Sequence, residues 1–172
     1  MRKYNKKSQK IALGGIVTLL SVVSLYISSI LPTNRLFFFA LSTFFLAVII
    51  IESNIKHAIL VYASSSILGF IIIPSKAVIL PYLVFFGYYA IIKSVIEKIN
   101  ILAIELLLKL AFFNLSIYIT YAIFINVLLG DIIIELPVWA IFLLMQLVFI
   151  IYDYTFSLGV YYYRNKIRPK LR

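Results

Sequence analysis

Four polar side chains lie inside two long apolar stretches of the sequence, where they could pair with one another out of contact with water. Glu105 and Lys109 are four residues apart with the acid first, the spacing and order that favour an ion pair on one helical face. Asp153 lies at a similar depth in the last apolar stretch, within reach of a bent lysine side chain. With Asn114, these residues predict an intramembrane polar network, which is either a structural salt bridge or a coupling element that senses a cytoplasmic partner.

A second group of side chains combines acids, amides, a guanidinium and aromatic rings, which together could bind a small polar or aromatic solute. We expect these residues at the outer ends of the apolar stretches: Asn34, Arg35, Tyr82, Asn126, Asp131, Glu135 and Trp139. Because tryptophan and tyrosine also concentrate at membrane interfaces, an ordinary aromatic belt is the alternative interpretation.

Six nearly charge-free apolar stretches must position these groups, and they cover approximately residues 11–31, 36–51, 58–73, 77–92, 101–129 and 137–160. The chain is 64% hydrophobic and 13% charged, with a mean hydropathy of +1.09. A water-soluble globule of this composition would have too little polar material for its surface. Since about 20 continuous apolar residues cross the hydrocarbon core as a helix, the sequence predicts one all-α integral membrane domain, residues 1–172, built as a six-transmembrane-helix bundle.

The lysine and arginine residues predict the orientation of this bundle. With a cytoplasmic N-terminus, 13 of the 16 basic residues fall in cytoplasmic segments, and the outer loops keep Arg35 and Lys76. The positive-inside rule therefore predicts a multi-pass protein of the cell (cytoplasmic) membrane with both termini in the cytoplasm. The first apolar run is too long for a typical signal peptide. The net charge of +10 lies mainly in the two tails, which favours contact with the lipid bilayer over nucleic acid.

Features of an enzyme are scarce in this sequence. The chain has no cysteine and a single histidine, His57, so neither a thiolate metal site nor a histidine cluster can form. It also lacks a glycine-rich phosphate-binding loop. We therefore predict no catalytic residue, no metal ion and no cofactor, and any uphill transport would need an ion gradient or a separate ATPase.

The first apolar stretch carries small side chains along one helical face. Gly14, Thr18, Ser21 and Ser28 share that face, with Ala12 and Gly15 beside it. Small side chains allow two helix backbones to approach closely. The neighbour is either another helix of this chain or a helix of a partner protein, in which case Ala12, Gly14, Gly15, Thr18 and Ser21 are the predicted partner contacts.

The segment Lys10-Ile11-Ala12-Leu13-Gly14-Gly15-Ile16 follows a basic N-terminus and begins the first of six spans. In this arrangement and in length, the chain resembles the substrate-binding S components of energy-coupling factor transporters, which are bacterial vitamin and micronutrient importers. The resemblance implies capture of a small-molecule solute from outside, and association through the first helix with a shared transmembrane coupling subunit and two cytoplasmic ATPases. The family's alanine pair, four residues apart, is here Ala12 followed by Ile16.

Two other classes of membrane protein stay open at this point. One is a non-transport protein with a structural, assembly or lipid-associated role, whose polar residues hold the bundle together. The other is a small oligomeric channel, which should carry a polar stripe along one whole helix. The fifth apolar stretch comes nearest to such a stripe, but apolar residues such as Leu106 and Phe113 interrupt it.

Overall fold

In a computed structural model, the described residues are 2–128 and 137–171, with side chains described for 8–124, 137 and 139–170. This part of the chain is helical and contains no strand, which confirms the all-α prediction for it. The helices are α1 (Arg2–Ile30), α2 (Arg35–Glu52), α3 (Ile55–Ile72), α4 (Lys76–Pro81), α5 (Gly87–Ile96), α6 (Leu102–Leu128) and α7 (Val138–Tyr162).

Six helical segments in the described ranges are long and apolar enough to cross a membrane, as the sequence predicts. They are Ser8–Ile30, Pro32–Glu52, Ile55–Ile72, Lys76–Ile96, Leu102–Phe124 and Trp139–Lys170. The shortest has 18 residues, which corresponds to about 27 Å of helix. Large apolar side chains are exposed along these helices, among them Ile71, Leu102 and Leu107.

The helices form two compact units, Met1–Val95 and Ile96–Arg172. In the first unit α1 packs against α2 and α3, α2 packs against α3, and α4 contacts α1 and α3. The centre of this unit is a cluster of buried side chains formed by Leu25, Phe39, Ile73, Val78, Ile79 and Tyr82. In the second unit α6 and α7 are joined by side-chain contacts described below.

The fourth membrane-length helix changes its hydrogen-bonding pattern in the middle. α4 ends at Pro81, and the backbone continues as a π-helical segment, Tyr82–Phe86, before α5 begins at Gly87. A Cβ atom on Gly87 would lie 2.5 Å from a Tyr62 ring carbon and 2.8 Å from the Tyr82 carbonyl oxygen. Glycine therefore allows α3 and this segment to approach closely.

Two hydroxyl groups from neighbouring helices bond to carbonyl groups of the π-helical segment. The Tyr62 hydroxyl on α3 donates to the Leu83 carbonyl oxygen at 2.8 Å. The Thr43 hydroxyl on α2 lies 2.7 Å from the Phe86 carbonyl oxygen. A π-helical segment disturbs the regular ladder of backbone hydrogen bonds, so these side chains give two of its carbonyl groups a partner inside an apolar unit.

Candidate functional site

The second unit contains a line of polar and aromatic contacts between α6 and α7, which we call the polar seam. On α6 it consists of Lys109, Phe113 and Asn114, and on α7 of Gln146, Phe149 and Asp153. The seam residues of α7 are spaced by three and four positions, which returns them to one face of the helix. The face of α6 that meets them is the one that buries Lys109 and Ser116.

Lys109 is the charged centre of the polar seam. Its Nζ donates to Glu97 Oε1 at 2.8 Å and to Asp153 Oδ2 at 3.2 Å. The side chain of Lys109 is 7% exposed, against 17% for Asp153 and 42% for Glu97. The ammonium group and the Asp153 carboxylate are therefore largely withdrawn from solvent, whereas the Glu97 carboxylate stays accessible.

Of the two carboxylates that bond to Lys109, the sequence predicts one and not the other. Asp153 was predicted from its depth and bonds to Lys109. The second acid is Glu97, which sequence reasoning missed, and Glu105 is half-buried and is not one of these two carboxylates. Glu97 lies in the turn before α6, where Asn100 has a positive φ of 56°; asparagine tolerates this left-handed conformation better than most residues.

The predicted network residue Asn114 takes part in an amide pair rather than in the charged cluster. Gln146 Nε2 donates to Asn114 Oδ1 at 2.8 Å, and Asn114 Nδ2 donates to the Leu110 carbonyl oxygen at 2.8 Å. Next to this pair, the rings of Phe113 and Phe149 stack with centroids 4.4 Å apart. Because each amide finds a partner, the seam holds polar groups between two otherwise apolar helices.

The small side chains of α1 divide between a buried and an open side. Thr18 and Ser21 are buried in the first unit, and a Cβ atom on Gly14 would lie 3.6 Å from a Val61 methyl group of α3. In contrast, Ala12 is exposed and a Cβ atom on Gly15 would meet nothing within 4 Å. Packing within the unit therefore accounts for the Gly14 side of the strip, and the Ala12 side is left open.

The residues predicted to bind a solute have different positions. Tyr82 is fully buried in the core of the first unit, where its hydroxyl lies 2.6 Å from the Ser65 hydroxyl. Asn34 is exposed and Arg35 half-buried at the start of α2, and Trp139 is exposed at the start of α7. Asp131 and Glu135 lie outside the described residues, as does the side chain of Asn126. Of the predicted solute-binding residues whose side chains the structure describes, Tyr82 is part of the hydrophobic core.

No family model, curated protein or solved structure matches this chain. Three features of the molecule bear on its function: the six membrane-length helices, the polar seam and the open side of α1. Within the described ranges, no group of three or more histidine, cysteine, aspartate or glutamate side chains is arranged to hold a metal ion. The polar seam can hold an ion pair and an amide pair between two apolar helices.

Proposed function

We propose that the chain is a multi-pass protein of the cell membrane with both termini in the cytoplasm. Its six apolar helices have the required length, and their exposed faces carry large apolar side chains that water would not tolerate over so wide a surface. The excess of lysine and arginine in alternate connecting segments supports the orientation.

Reporter fusions after Asn34, after Asn54 and after the C-terminus test this arrangement. Alkaline phosphatase is active outside the cytoplasm, and green fluorescent protein fluoresces inside it. Because the connecting segments alternate sides, we expect active phosphatase in the fusion after Asn34 and fluorescence in the other two fusions. Tails that lie on opposite sides of the membrane would exclude an even number of spans.

We further propose that the protein is the solute-capturing membrane subunit of an importer powered by separate ATPase subunits. The observation that carries this proposal is the architecture, six membrane-length helices in 172 residues, in which α1 leaves Ala12 and Gly15 open near its cytoplasmic end. Because alanine and glycine are small, a second transmembrane helix can approach the α1 backbone closely at this surface. In the proposed cycle a solute binds from outside, and the ATPase module drives release through this contact.

Replacement of Gly15 by leucine is expected to reduce co-purification of the transport partners at least about tenfold, which corresponds to about 1.4 kcal/mol of contact energy. The leucine side chain would occupy the space that the partner helix needs, and its Cβ atom would meet no group of this chain within 4 Å. The measurement is affinity purification of the tagged chain from mild detergent, with quantitative mass spectrometry of the bound ATPase.

A Val23→Leu variant is the control for the Gly15 experiment. Val23 is 48% exposed on the same helix, two turns further along, and the change adds a single methylene group. We expect wild-type recovery of the ATPase with this variant, and thermal stability no lower than that of the wild type with both. Equal recovery of the ATPase with Gly15→Leu would contradict a partner contact at this position.

A second candidate function is a non-transport membrane protein with a structural, assembly or lipid-associated role. The burial of Tyr82 favours it, because one of the predicted solute-binding residues serves the core instead. Native mass spectrometry of the gently purified protein separates the two candidates. A retained vitamin-sized molecule or a bound ATPase supports the importer, whereas copies of the chain that carry lipid alone support the second candidate.

A further inference from the structure

The last helix of the chain is longer than a membrane is thick. After α7 the chain continues through a π-helical segment, Tyr163–Ile167, and a 3-10 turn, Arg168–Leu171. The apolar candidate span Trp139–Lys170 has 32 residues, which is about 48 Å of helix, against about 30 Å of hydrocarbon. About a third of it must therefore lie beyond the hydrocarbon. Counted about 20 residues from Trp139, the hydrocarbon edge falls near Gly159.

The residues that follow this edge form a group that we call the basic tip, consisting of Tyr161, Tyr162, Arg164, Lys166 and Lys170. Tyr161 and Tyr162 are 67% and 54% exposed, and the three cationic side chains are exposed as well. The Lys166 Nζ lies 5.5 Å from the centre of the Tyr162 ring. The basic tip thus has aromatic rings nearest the edge and cations immediately beyond them, which is the order of groups that a membrane interface favours.

The positive charge of the basic tip is not balanced along the sequence. Arg168 and Arg172 belong to the same segment, and no aspartate or glutamate follows Asp153. Between residues 164 and 170 the helix advances about 10 Å, starting about 8 Å beyond the hydrocarbon edge. The segment therefore begins at the outer edge of the headgroup region, which is about 5–8 Å thick, and extends through about one screening length beyond it.

We propose that the basic tip binds the headgroups of anionic phospholipids in the cytoplasmic leaflet, an inference that rests on the proposed membrane orientation. Lipid fits the basic tip better than an acidic protein because the exposed tyrosine rings adjoin the cations at the hydrocarbon edge, where a soluble partner does not reach. The Arg164 guanidinium can bind a phosphate through two N–H groups, and the two lysines add point charges. The contact would hold the cytoplasmic end of α7 at a fixed depth.

The test uses the full-length protein in neutral detergent micelles, titrated with dioleoyl phosphatidylglycerol or dioleoyl phosphatidylcholine. Native mass spectrometry counts the bound lipids, and thermal unfolding measures the stabilisation that they give. We expect the wild type to bind phosphatidylglycerol in preference to phosphatidylcholine. The Lys166→Gln/Lys170→Gln variant should bind phosphatidylglycerol about 30-fold more weakly, the equivalent of about 2 kcal/mol for two cations near the membrane surface.

Lys56→Gln/Lys98→Gln is the matched control, because it removes the same charge from two exposed lysines elsewhere in the chain. We expect it to keep most of the wild-type affinity. An equal loss in both double variants, equal binding of the two lipids, or stabilisation by inorganic phosphate alone would overturn the proposal. Membrane insertion is tested separately by extraction with alkaline carbonate and orientation by the reporter fusions described above, so a failure of the orientation is distinguishable from a failure of lipid binding.

Discussion

Replacing Lys109 by methionine is expected to lower the free energy of unfolding by about 3–5 kcal/mol, the usual cost of removing one partner from a buried ion pair. The Asp153 carboxylate, 17% exposed, would lose the ammonium group that lies 3.2 Å from it. Glu97 contributes less to this loss because its side chain is 42% exposed and water can solvate it. The measurement is unfolding of the detergent-solubilised protein by sodium dodecyl sulfate, followed by circular dichroism.

Two further variants separate the charge from the packing of the lysine stem. Lys98→Met makes the same chemical change at an exposed position, and we expect an effect within about 0.5 kcal/mol. Lys109→Met/Asp153→Leu removes both charges, and we expect it to recover most of the stability, since an apolar pair can replace a buried ion pair at little cost. Wild-type stability of the Lys109→Met single variant would show that the ion pair contributes nothing to the polar seam.

Substitution of Gly87 by alanine should destabilise the first unit by about 2 kcal/mol, within the range for overpacked cores. The new methyl group would lie 2.5 Å from a Tyr62 ring carbon and 2.8 Å from the Tyr82 carbonyl oxygen, and neither group can move away easily. The Tyr62 ring is held by its hydrogen bond to Leu83, and the carbonyl group belongs to the π-helical backbone. The same unfolding assay measures the effect.

The alanine substitution at Gly15 is the control, and we expect the opposite sign for it. Both glycines lie in helices, so alanine improves helix propensity at either position by up to about 1 kcal/mol. At Gly15 nothing opposes this gain because the added Cβ atom meets no group within 4 Å. If Gly87→Ala and Gly15→Ala changed stability by the same amount, the close approach of Tyr62 to Gly87 would not limit packing.

The number of membrane-length helical segments in the described residues could be predicted from the sequence because hydropathy is a local property. Each stretch of about 20 apolar residues identifies a helix by itself, whichever neighbours it has. The Lys109 and Asp153 pair was also predictable, because counting residues from one common end of the two helices places both at one depth. Depth along a helix follows from its rise of about 1.5 Å per residue.

The remaining features depend on contacts that no local pattern contains. The π-helical segment after Pro81 is one such feature, because its carbonyl groups bond to hydroxyl groups from α2 and α3, far away in the sequence. Gly14 faces Val61 of α3 and Gly15 faces open space. Which of the two glycines packs within the unit depends on the position of α3 and could not be predicted from the sequence. Glu97 was missed because it lies outside the apolar stretches, in a turn that brings it back to α6.

The polar seam also restricts how α6 and α7 can slide along each other. The Lys109 to Asp153 ion pair and the Asn114 to Gln146 amide pair lie at two levels of the hairpin. A slip of one helical turn, about 5.4 Å, would break both pairs at once and bring the Lys109 ammonium group to the level of an aromatic side chain, Phe149 or Phe156. The two pairs therefore favour the observed axial register of α6 and α7 over a register shifted by one turn.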